Sequence, residues 1–306
     1  MGVMDLKNKL LVVVNPISGG AVKDELIQEI AELLNDRQVA FTIYETTGEK
    51  DEYHIRELLE AQSIQKILVI GGDGTIQTVA KAVDKRDVAL GLIPAGSANG
   101  LVSNFEFSTN VANQIDIALG DSYILMDMIS VNDHLCLHIA DLGINATLIK
   151  NYENSEIRGK LGYALQTIPT LMESDLPYSF SLTFNDQTIH LQGVMVAIAN
   201  AKQFGTGAVI NPKGKMDDGV FEVLIFKKLM LVDILKTLNE DSYRNPDFVE
   251  CFPVTKVTIA CQPEVALQVD GEFIGKVQKV SAELLSSKLK IMVPAQSKEI
   301  QERFNL

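Results

Sequence analysis

The feature that most constrains the fold is a repeated pairing, between Leu10 and Leu119, of a short apolar run with a stretch of helical periodicity. Leu10–Val14 is an unbroken apolar run, and Leu26–Leu34 then carries its apolar residues at a helical spacing. Unbroken apolar runs are typical of strands buried on both faces. Strands that alternate with helices predict a doubly wound α/β domain with a parallel sheet. The pairing continues in the predicted strands Val39–Tyr44, Ile67–Ile70 and Val88–Ile93 and the predicted helices Glu52–Ala61, Thr75–Val83 and Val111–Leu119.

The chain after Gly120 has a different texture. Period-two alternation and turn pairs such as Asn-Asp and Asp-Gly predict short strands joined by tight turns. Two helical stretches, Lys160–Met172 and Leu229–Leu238, interrupt them. We therefore expect a largely antiparallel second domain, a sandwich or a barrel-like sheet. The predicted strands are Ile124–Val131, Leu135–Ala140, Tyr178–Phe184, Thr188–Ala199, Val220–Phe226, Lys256–Ala260, Val265–Val269 and Leu289–Val293.

Each of the four predicted strands of the first domain ends in a turn rich in Gly, Ser or Thr. Because the carboxyl ends of parallel strands meet at one edge of a sheet, we expect these turns to gather there. Glycine lets the backbone approach a ligand closely, and exposed amides before a helix suit a phosphate. A plain strand-to-helix connection explains any one turn equally well, whereas four turns in register favour a phosphate site. The turns are Asn15–Gly20, Glu45–Gly48, Gly71–Thr75 and Pro94–Gly100.

The common nucleotide-binding signatures do not fit these turns. The sequence contains no GxxxxGK[ST], which excludes a P-loop. Gln77 stands where a dinucleotide fingerprint beginning at Gly72 has Gly or Ala. The HRD and DFG elements of protein kinases are also missing from the sequence. A phosphate site of another type is therefore expected.

Charge and composition exclude several classes of partner. Lys and Arg total 27 against 40 Asp and Glu, a formal net charge of -13. Nucleic acid is therefore not an expected partner, because phosphate backbones are bound through clustered basic residues. The three cysteines give no disulfide framework and the four histidines give no zinc spacing. Without a signal-peptide pattern or an apolar run of roughly 18–20 residues, we expect a cytoplasmic protein with reduced thiols.

Three segments of the first half resemble the diacylglycerol kinase catalytic-domain family of lipid kinases, which includes sphingosine kinases. They are LLVVVNPISGG, ILVIGGDGTIQTVAKAV and LGLIPAGSANGLVSNF, in that order and spacing. The second half continues the resemblance, so that it covers the chain from about residue 9 to residue 293. GGDGT alone also occurs in NAD kinases, whereas NPxSG, PxGSxN and a late Asp-Gly-Glu together are specific. The matching segments of the second half are Asp141–Ala146, Arg158–Tyr163, Met216–Gly219 and Val269–Glu272.

The resemblance implies an α/β nucleotide domain packed on a β-rich domain, with ATP and Mg²⁺ as cofactors and ATP in the cleft between the domains. On this basis we place an ATP-binding domain at residues 1–125 and a lipid-acceptor domain at 126–290. A C-terminal segment, 291–306, is expected to return towards the first domain. The ATP contacts that carry over are Asn15, Pro16, Ile17, Ser18, Gly19, Thr46, Gly72, Asp73, Gly74, Thr75, Ile76, Gln77, Thr78, Ser97 and Asn99.

Three carboxylates are candidates for the catalytic chemistry. Phosphoryl transfer to a hydroxyl requires neutralised phosphate charge and a base close to that hydroxyl. Asp73 stands in the phosphate turn, where it can also cap the following helix. The resemblance assigns Glu272 as the general base, although Asp-Gly before it is also a common hairpin pair. It makes Asp127 a supporting acid in the metal network, with a hydrogen-bonded structural Asp as the alternative.

A second metal site is implied at the acidic turn of the second domain. The resemblance matches Asp218 to a carboxylate ligand that is joined by the backbone carbonyls of Lys215 and Val220. Such a site would be structural or regulatory rather than catalytic. An Asp-Asp-Gly turn without a metal explains the same residues.

Two departures from the family pattern leave the acceptor open. Gly100 stands where bacterial relatives usually have Asp, and Asn145 replaces the Asp of a Gly-x-Asp-Ala segment. In sphingosine-type enzymes that Asp can contact the head group, and an amide does not pair with a cationic amine as a carboxylate does. Asn145 therefore disfavours a sphingoid base, whereas the small residue Gly100, which sphingosine kinases share at this position, favours one. Diacylglycerol-, phosphatidylglycerol- and sphingoid-like lipid alcohols all stay open as acceptors. The apolar tail is expected beside Ile144, Leu148, Leu161, Leu165, Ile168 and Leu171, whose helical spacing fits an ordinary core equally well.

The sequence thus predicts an ATP- and Mg²⁺-dependent lipid kinase that makes transient peripheral contact with the inner face of the membrane. An NAD kinase and a non-catalytic nucleotide-binding regulatory protein are the alternatives. A monomer and a homodimer are both compatible with the sequence.

Overall fold

The chain divides into two compact units. The computed structural model describes residues 9–17, 24–96, 99–105, 107–147, 177–203, 209–227 and 248–295. Unit 1 is formed by Met1–Met126 together with Ser287–Leu306, and unit 2 is Asp127–Ser286. Within the described ranges, no helix has the length and hydropathy that a membrane span requires.

Unit 1 is built on a six-stranded sheet in the order β2-β1-β3-β4-β16-β5. All neighbouring strands are parallel except β5, which runs antiparallel to β16. The last strand of the chain therefore lies inside the sheet, between β4 and β5. The strands are β1 (Lys9–Val14), β2 (Phe41–Glu45), β3 (Ile64–Gly71), β4 (Ala89–Pro94), β5 (Tyr123–Met126) and β16 (Leu289–Met292).

Helices cover both faces of this sheet. On one face, Leu10, Val12 and Val14 of β1 belong to a buried cluster with apolar residues of α1 and α4. Leu11 and Val13 point to the opposite face, since strand side chains alternate, and they are buried as well. Helices α2 and α3 pack against each other, and α3 also packs on β3. The helices are α1 (Asp24–Asp36), α2 (Asp51–Ala61), α3 (Asp73–Ala82) and α4 (Val111–Leu119).

Unit 2 is a sandwich in which every strand pair is antiparallel. The main path is β13-β12-β11-β8-β14-β15-β6-β7, and the β9–β10 hairpin joins it through β14. Side chains from most of these strands form one large apolar core. The strands are β6 (Ile129–Val131), β7 (His134–Cys136), β8 (Ile139–Gly143), β9 (Tyr178–Phe184), β10 (Gln187–Gly193), β11 (Met195–Ala199), β12 (Phe221–Phe226), β13 (Val249–Val254), β14 (Lys256–Val269) and β15 (Glu272–Leu284).

The predicted fold class, a parallel α/β domain followed by an antiparallel β domain, is confirmed. Several predicted strand limits differ from the structure. The predicted strand Ile124–Val131 is divided at Asp127, where the backbone N–H donates to the carbonyl of Met216 instead of to a neighbouring strand. The predicted strands at Lys256–Ala260 and Val265–Val269 are one strand, and β13 and β15 were not predicted. The predicted helices Lys160–Met172 and Leu229–Leu238 lie outside the described residues.

Candidate functional site

The register of the unit 1 sheet brings the ends of its four parallel strands β1–β4, and the described residues that follow them, to one edge. Val14 pairs with Glu45 and with Ile70, and Gly71 pairs with Pro94, so the four parallel strands end level with one another. This is the carboxyl edge, where open α/β sheets bind their ligands. Of the predicted ATP contacts at this edge, Ser18, Gly19 and Ser97 lie outside the described residues.

The turns that follow β3 and β4 are in direct backbone contact. A Cβ placed on Gly96 would lie 2.4 Å from the Cα of Gly72, and the backbone N–H of Ala95 donates to the carbonyl of Gly71 at 2.9 Å. No side chain fits between two backbones at this separation, so glycine is required at 96. The sequence motifs alone did not indicate that these two turns touch.

Two polar side chains, Asp73 and Asn99, hold the turn after β4 in place. The Asp73 carboxylate accepts the backbone N–H of Gly100 at 2.7 Å and that of Leu101 at 2.9 Å. The Asn99 side chain accepts the N–H of Gly96 at 2.9 Å and donates to its carbonyl at 3.0 Å. Asn99 has a φ of 51°, a left-handed conformation that Asn tolerates better than most residues. Asp73 therefore has a structural role beside any catalytic one.

The first turn of α3 provides an anion-binding helix end. Its N-cap is Gly72, which has no side chain to occupy the helix amides, and the N–H groups of Asp73 and Gly74 have no intrahelical acceptor. The N–H groups of Thr75 and Ile76 already donate to the carbonyl of Gly72. Both residues are buried, which shows that their side chains face the protein interior. The helix dipole adds to the attraction for negative charge at this end.

The remaining predicted ATP contacts lie close to the same edge. The side chain of Asn15 accepts the N–H of Ile17 at 3.1 Å, across Pro16, and Ile17 is 86% exposed. The backbone N–H of Thr46 donates to the carbonyl of Val14 at 2.8 Å, which fixes the turn after β2. Further along α3, the hydroxyl of Thr78 donates to the carbonyl of Gly74 at 3.0 Å, and Gln77 accepts a hydrogen bond from Lys81.

Asp51 organises the turn after β2, a role that the sequence analysis missed. Its carboxylate accepts the N–H groups of Thr47 and Gly48 at 2.9 Å and 2.8 Å and the hydroxyl of Tyr44 at 2.7 Å. Burial alone would raise the pKa of Asp51, but these hydrogen bonds outweigh it and lower the pKa below its ordinary value. An Asp three residues after the Thr-Thr-Gly turn was the available signal.

In unit 2, Asp127 anchors the acidic turn. Its N–H donates to the carbonyl of Met216 at 2.6 Å, and its carboxylate accepts the N–H of Gly219 at 2.8 Å. The buried side chain of Asn200 donates to its carbonyl at 2.7 Å. Asp127 is only 3% exposed, so the hydrogen bond from Gly219 stabilises a carboxylate that is costly to bury, and the other two fix the backbone of Asp127.

The predicted metal ligand Asp218 lies on this turn in an electronegative setting. Burial, followed by the charges of Asp127 and Asp217, raises the pKa of Asp218, and its carboxylate accepts the N–H of Val220 at 3.2 Å. A cation would relieve this repulsion. Among the described residues, no group of three His, Cys, Asp or Glu side chains is arranged to hold a metal, so carbonyls such as those of Lys215 and Val220 would have to complete the ligand set.

Glu272 opens strand β15 immediately after a tight hairpin turn. Asp270 and Gly271 have φ values of 49° and 91°, both left-handed, which is the conformation of the favoured two-residue hairpin turn. Glu272 pairs across the hairpin with Val269, and its side chain is exposed. The Glu272 side chain is therefore open to solvent, and the left-handed conformations of Asp270 and Gly271 fix the backbone that precedes it.

The Asp270 side chain is buried beneath this turn and anchors it to β8. Its carboxylate accepts the N–H groups of Leu137, His138 and Ile139 at 2.7–3.1 Å, and it lies 2.8 Å from Nδ1 of His138. Burial would raise the pKa of Asp270, but His138 and these N–H groups outweigh it and lower the pKa. The sequence analysis treated Asp270 only as a turn residue and missed this anchor.

A second buried carboxylate, Asp141, occupies the segment in which Asn145 departs from the family pattern. Asp141 accepts hydrogen bonds from Asn145 and from Gln268, both at 2.5 Å on Oδ2. Burial raises the pKa of Asp141 to about 7, and the hydrogen bonds from Asn145, Gln268 and the Ala146 backbone offset this only in part. The sequence motifs assigned Asp141 no role.

Of the residues expected to border the acceptor tail, only Ile144 is described, and it is buried.

Comparisons with known proteins extend along nearly the whole chain. Residues 9–131 match the family model of the diacylglycerol kinase catalytic domain, and residues 139–293 match that of the YegS C-terminal NAD kinase beta sandwich-like domain. A probable lipid kinase YegS-like of Enterobacter sp. (strain 638) is 25% identical over 240 residues, which cover 76% of this chain and 80% of the relative. A probable lipid kinase YegS of Salmonella newport (strain SL254) is 24% identical over 284 residues, which cover 91% and 94%.

Two solved structures share the fold at lower identity. A diacylglycerol kinase from Bacillus anthracis str. Sterne superimposes with a TM-score of 0.71 at 17% identity, covering 95% of this chain and 98% of the other. An NAD kinase from Archaeoglobus fulgidus in complex with ATP gives a TM-score of 0.56 at 14% identity, covering 97% of each chain. At these identities the likeness establishes a common fold and nothing finer.

Proposed function

Because the chain belongs to the family of the diacylglycerol kinase catalytic domain and its beta sandwich-like C-terminal domain, we propose that it is a lipid kinase. In this proposal the γ-phosphoryl group of ATP is transferred to the hydroxyl of a lipid alcohol, and ADP and a lipid phosphate are released. Diacylglycerol and phosphatidylglycerol are the first acceptors to test, because Asn145 lacks the charge that would pair with a cationic amine. A lipid acceptor also requires access to a membrane surface, so transient peripheral contact with the inner face of the membrane is part of the proposal.

The observation that carries the proposal is the joined pair of turns at the ends of β3 and β4. Gly72 and Gly96 bring two backbones together, and the open amides of α3 lie at the same point. Backbone N–H groups at a helix N-terminus match the oxygen-rich surface of a polyphosphate. This arrangement supports ATP as the phosphoryl donor and fits the contacts proposed at Asn15, Thr46 and Asn99.

The carboxylates divide the remaining work in the proposal. Glu272, exposed at its hairpin turn, is the group proposed to take the acceptor proton. Asp73 and Asp127 contribute negative charge near the phosphates and their cation, while their hydrogen bonds also shape the loops around them. When bound, Mg²⁺ would neutralise charge on the phosphates, and the raised pKa of Asp218 is consistent with a second cation at the acidic turn.

The central test is to incubate the protein with radiolabelled ATP, Mg²⁺ and total lipids, and to identify the labelled product. Glu272→Gln is expected to lower kcat by at least about 100-fold, the scale of general base catalysis, while ATP binding is retained. Glu264→Gln, an exposed residue of β14, makes the same chemical change away from the turn and should behave as wild type.

The other outcomes discriminate between the candidate functions. A Glu272→Gln protein with a near wild-type rate would remove Glu272 from the mechanism. NADP formed from NAD in place of a labelled lipid would assign the protein to the NAD kinases. ATP binding with no transfer to any acceptor would indicate a regulatory protein.

A further inference from the structure

We propose that Asp141 and Gln268 are positioning residues for Glu272, and that they act through a buried hydrogen-bond chain ending at the amide of Gly271. The inference rests on the proposed function, in which Glu272 takes the proton of the acceptor hydroxyl. Neither Asp141 nor Gln268 reaches the surface, since they are 0% and 1% exposed, so neither is expected to touch a substrate.

The hydrogen-bond chain runs in one donor-to-acceptor direction. The N–H of Gly271 donates to Oε1 of Gln268 at 2.7 Å, and this leaves the Nε2 end of the same amide facing Oδ2 of Asp141 at 2.5 Å. Because a backbone N–H only donates, Gln268 must present its oxygen to the turn. Its nitrogen then requires an acceptor in a buried place, and Asp141 supplies it. The carbonyl of Ile139 also accepts from this nitrogen, at 3.4 Å, so Asp141 provides the shorter of the two hydrogen bonds that hold Gln268 in this orientation.

The turn is held from both of its central residues. Asp270 is tied to β8 by its carboxylate and by its N–H, which donates to the carbonyl of Ile139 at 3.0 Å. Gly271 is tied by Gln268 alone among the contacts of the described residues. Glu272 follows directly, so a rotation at Gly271 would displace it. General base catalysis depends on hydrogen-bond distance to the reacting hydroxyl, and small displacements are therefore costly in rate.

Burying the Asp141 carboxylate costs free energy, and packing alone would not offset that cost. This carboxylate is fully buried, and its two short hydrogen bonds, from Asn145 and Gln268, both fall on Oδ2. An apolar residue would avoid that cost but would leave the nitrogen of Gln268 with only its longer hydrogen bond, 3.4 Å to the carbonyl of Ile139. The titratable groups beside the hydrogen-bond chain are Cys136 of β7, His138 between β7 and β8, and Asp270 of the turn.

The test replaces the hydrogen-bond donor that Gln268 presents to Asp141 by an acceptor. Gln268→Glu keeps the size of the side chain and still accepts from Gly271, but it places a second carboxylate against Asp141. At pH 8 the two charges repel, and kcat is expected to fall at least tenfold while KM for ATP stays within twofold. At pH 6, where one shared proton is available, part of the loss should be recovered. Asp141→Asn combined with Gln268→Glu restores one amide and one carboxylate between the two positions and removes the charge repulsion, so the double variant should regain part of the turnover at pH 8.

Gln278→Glu is the matched control, because it adds the same charge at an exposed position of β15. A second readout is the hydrogen-exchange rate of the Gly271 amide, which should rise in Gln268→Glu and fall towards the wild-type rate in the double variant.

Wild-type kcat in folded Gln268→Glu, or a double variant no better than the single one, would overturn the proposal. If the single variant does not fold, recovery of fold and turnover in the double variant supports the chain, and no recovery overturns it. A wild-type protein inactive on all lipids would refute the lipid kinase alone, and Gly271 exchange would then decide whether the chain holds the turn.

Discussion

At the scale of single residues, carboxylates carry more of the structure than their motif positions indicate. Asp73 joins two turns, Asp127 fixes the acidic turn and Asp270 anchors the hairpin before Glu272. Replacing any of these three changes backbone structure as well as charge, because each accepts at least one backbone N–H. Glu272 has an exposed side chain, and its substitution is for that reason the cleaner test of chemistry.

Asp141 should make stability depend on pH in a recognisable way. Its pKa is about 7 in the folded protein against an ordinary value of 3.8, so between these pH values the folded state holds one proton more than the unfolded state. Stability from this group therefore falls as pH rises through that window and is constant above it. Relative to Asp141→Asn, the wild-type free energy of unfolding should decrease by about 2–3 kcal/mol from pH 5 to pH 8.

Urea unfolding followed by circular dichroism at several pH values measures this difference. Asp186→Asn removes an exposed carboxylate from the β9–β10 turn and should leave the wild-type pH dependence unchanged. A constant difference between wild type and Asp141→Asn across the range would contradict a raised pKa at Asp141.

At the scale of elements, the phosphate edge depends on how closely neighbouring turns approach. The turns after β3 and β4 meet through Gly72 and Gly96, and Asn99 closes the second turn on itself. The motifs GGDGT and PxGSxN are thus parts of one local structure. The sequence predicted that these turns would gather at one edge, since parallel strands require it. It did not predict contact between them, which depends on strand register.

Gly96→Ala is expected to destabilise unit 1 by about 1–3 kcal/mol, because the new methyl group would meet the backbone of Gly72. Gly74→Ala is the matched control: a Cβ there meets nothing within 4 Å, and alanine favours the helix that begins at Asp73. The urea midpoint of Gly96→Ala should lie below that of wild type, and the midpoint of Gly74→Ala should lie above it. Equal midpoints would show that the turns yield without cost.

At the scale of the whole molecule, the two units differ in how the chain builds them. Unit 2 is one continuous segment, Asp127–Ser286, whereas unit 1 requires its last strand from the far end of the chain. β16 lies between β4 and β5 and contributes Leu289, Ile291 and Met292 to the buried interior. The α/β sheet is therefore completed only after the entire β sandwich has been synthesised.

Deleting residues 287–306 should unfold unit 1, since it removes an interior strand and leaves β5 without its neighbour. Loss of ATP binding and of helical circular dichroism would measure this. Lys290→Ala keeps the strand and removes the surface ion pair with Asp87 and the contact of the ammonium group with the Tyr123 ring, so it should cost about 1–2 kcal/mol at most. Native helical signal and ATP binding after the deletion would contradict the proposed dependence on β16.

The sequence by itself determined the fold class, because it follows from local patterns, and the motifs led to the proposed chemistry. Apolar runs such as Leu10–Val14, glycine turns such as Gly71–Thr75 and the order of motifs are visible along the chain. Only the tertiary structure decided which groups meet: Asp73 with Gly100, Asp270 with His138, and Asp141 with Gln268. These pairs are separated by 27, 132 and 127 residues, and their meeting depends on register and burial, which no local pattern encodes. The hydrogen-bond chain beneath Glu272 therefore became visible only once β8 and β14 were paired.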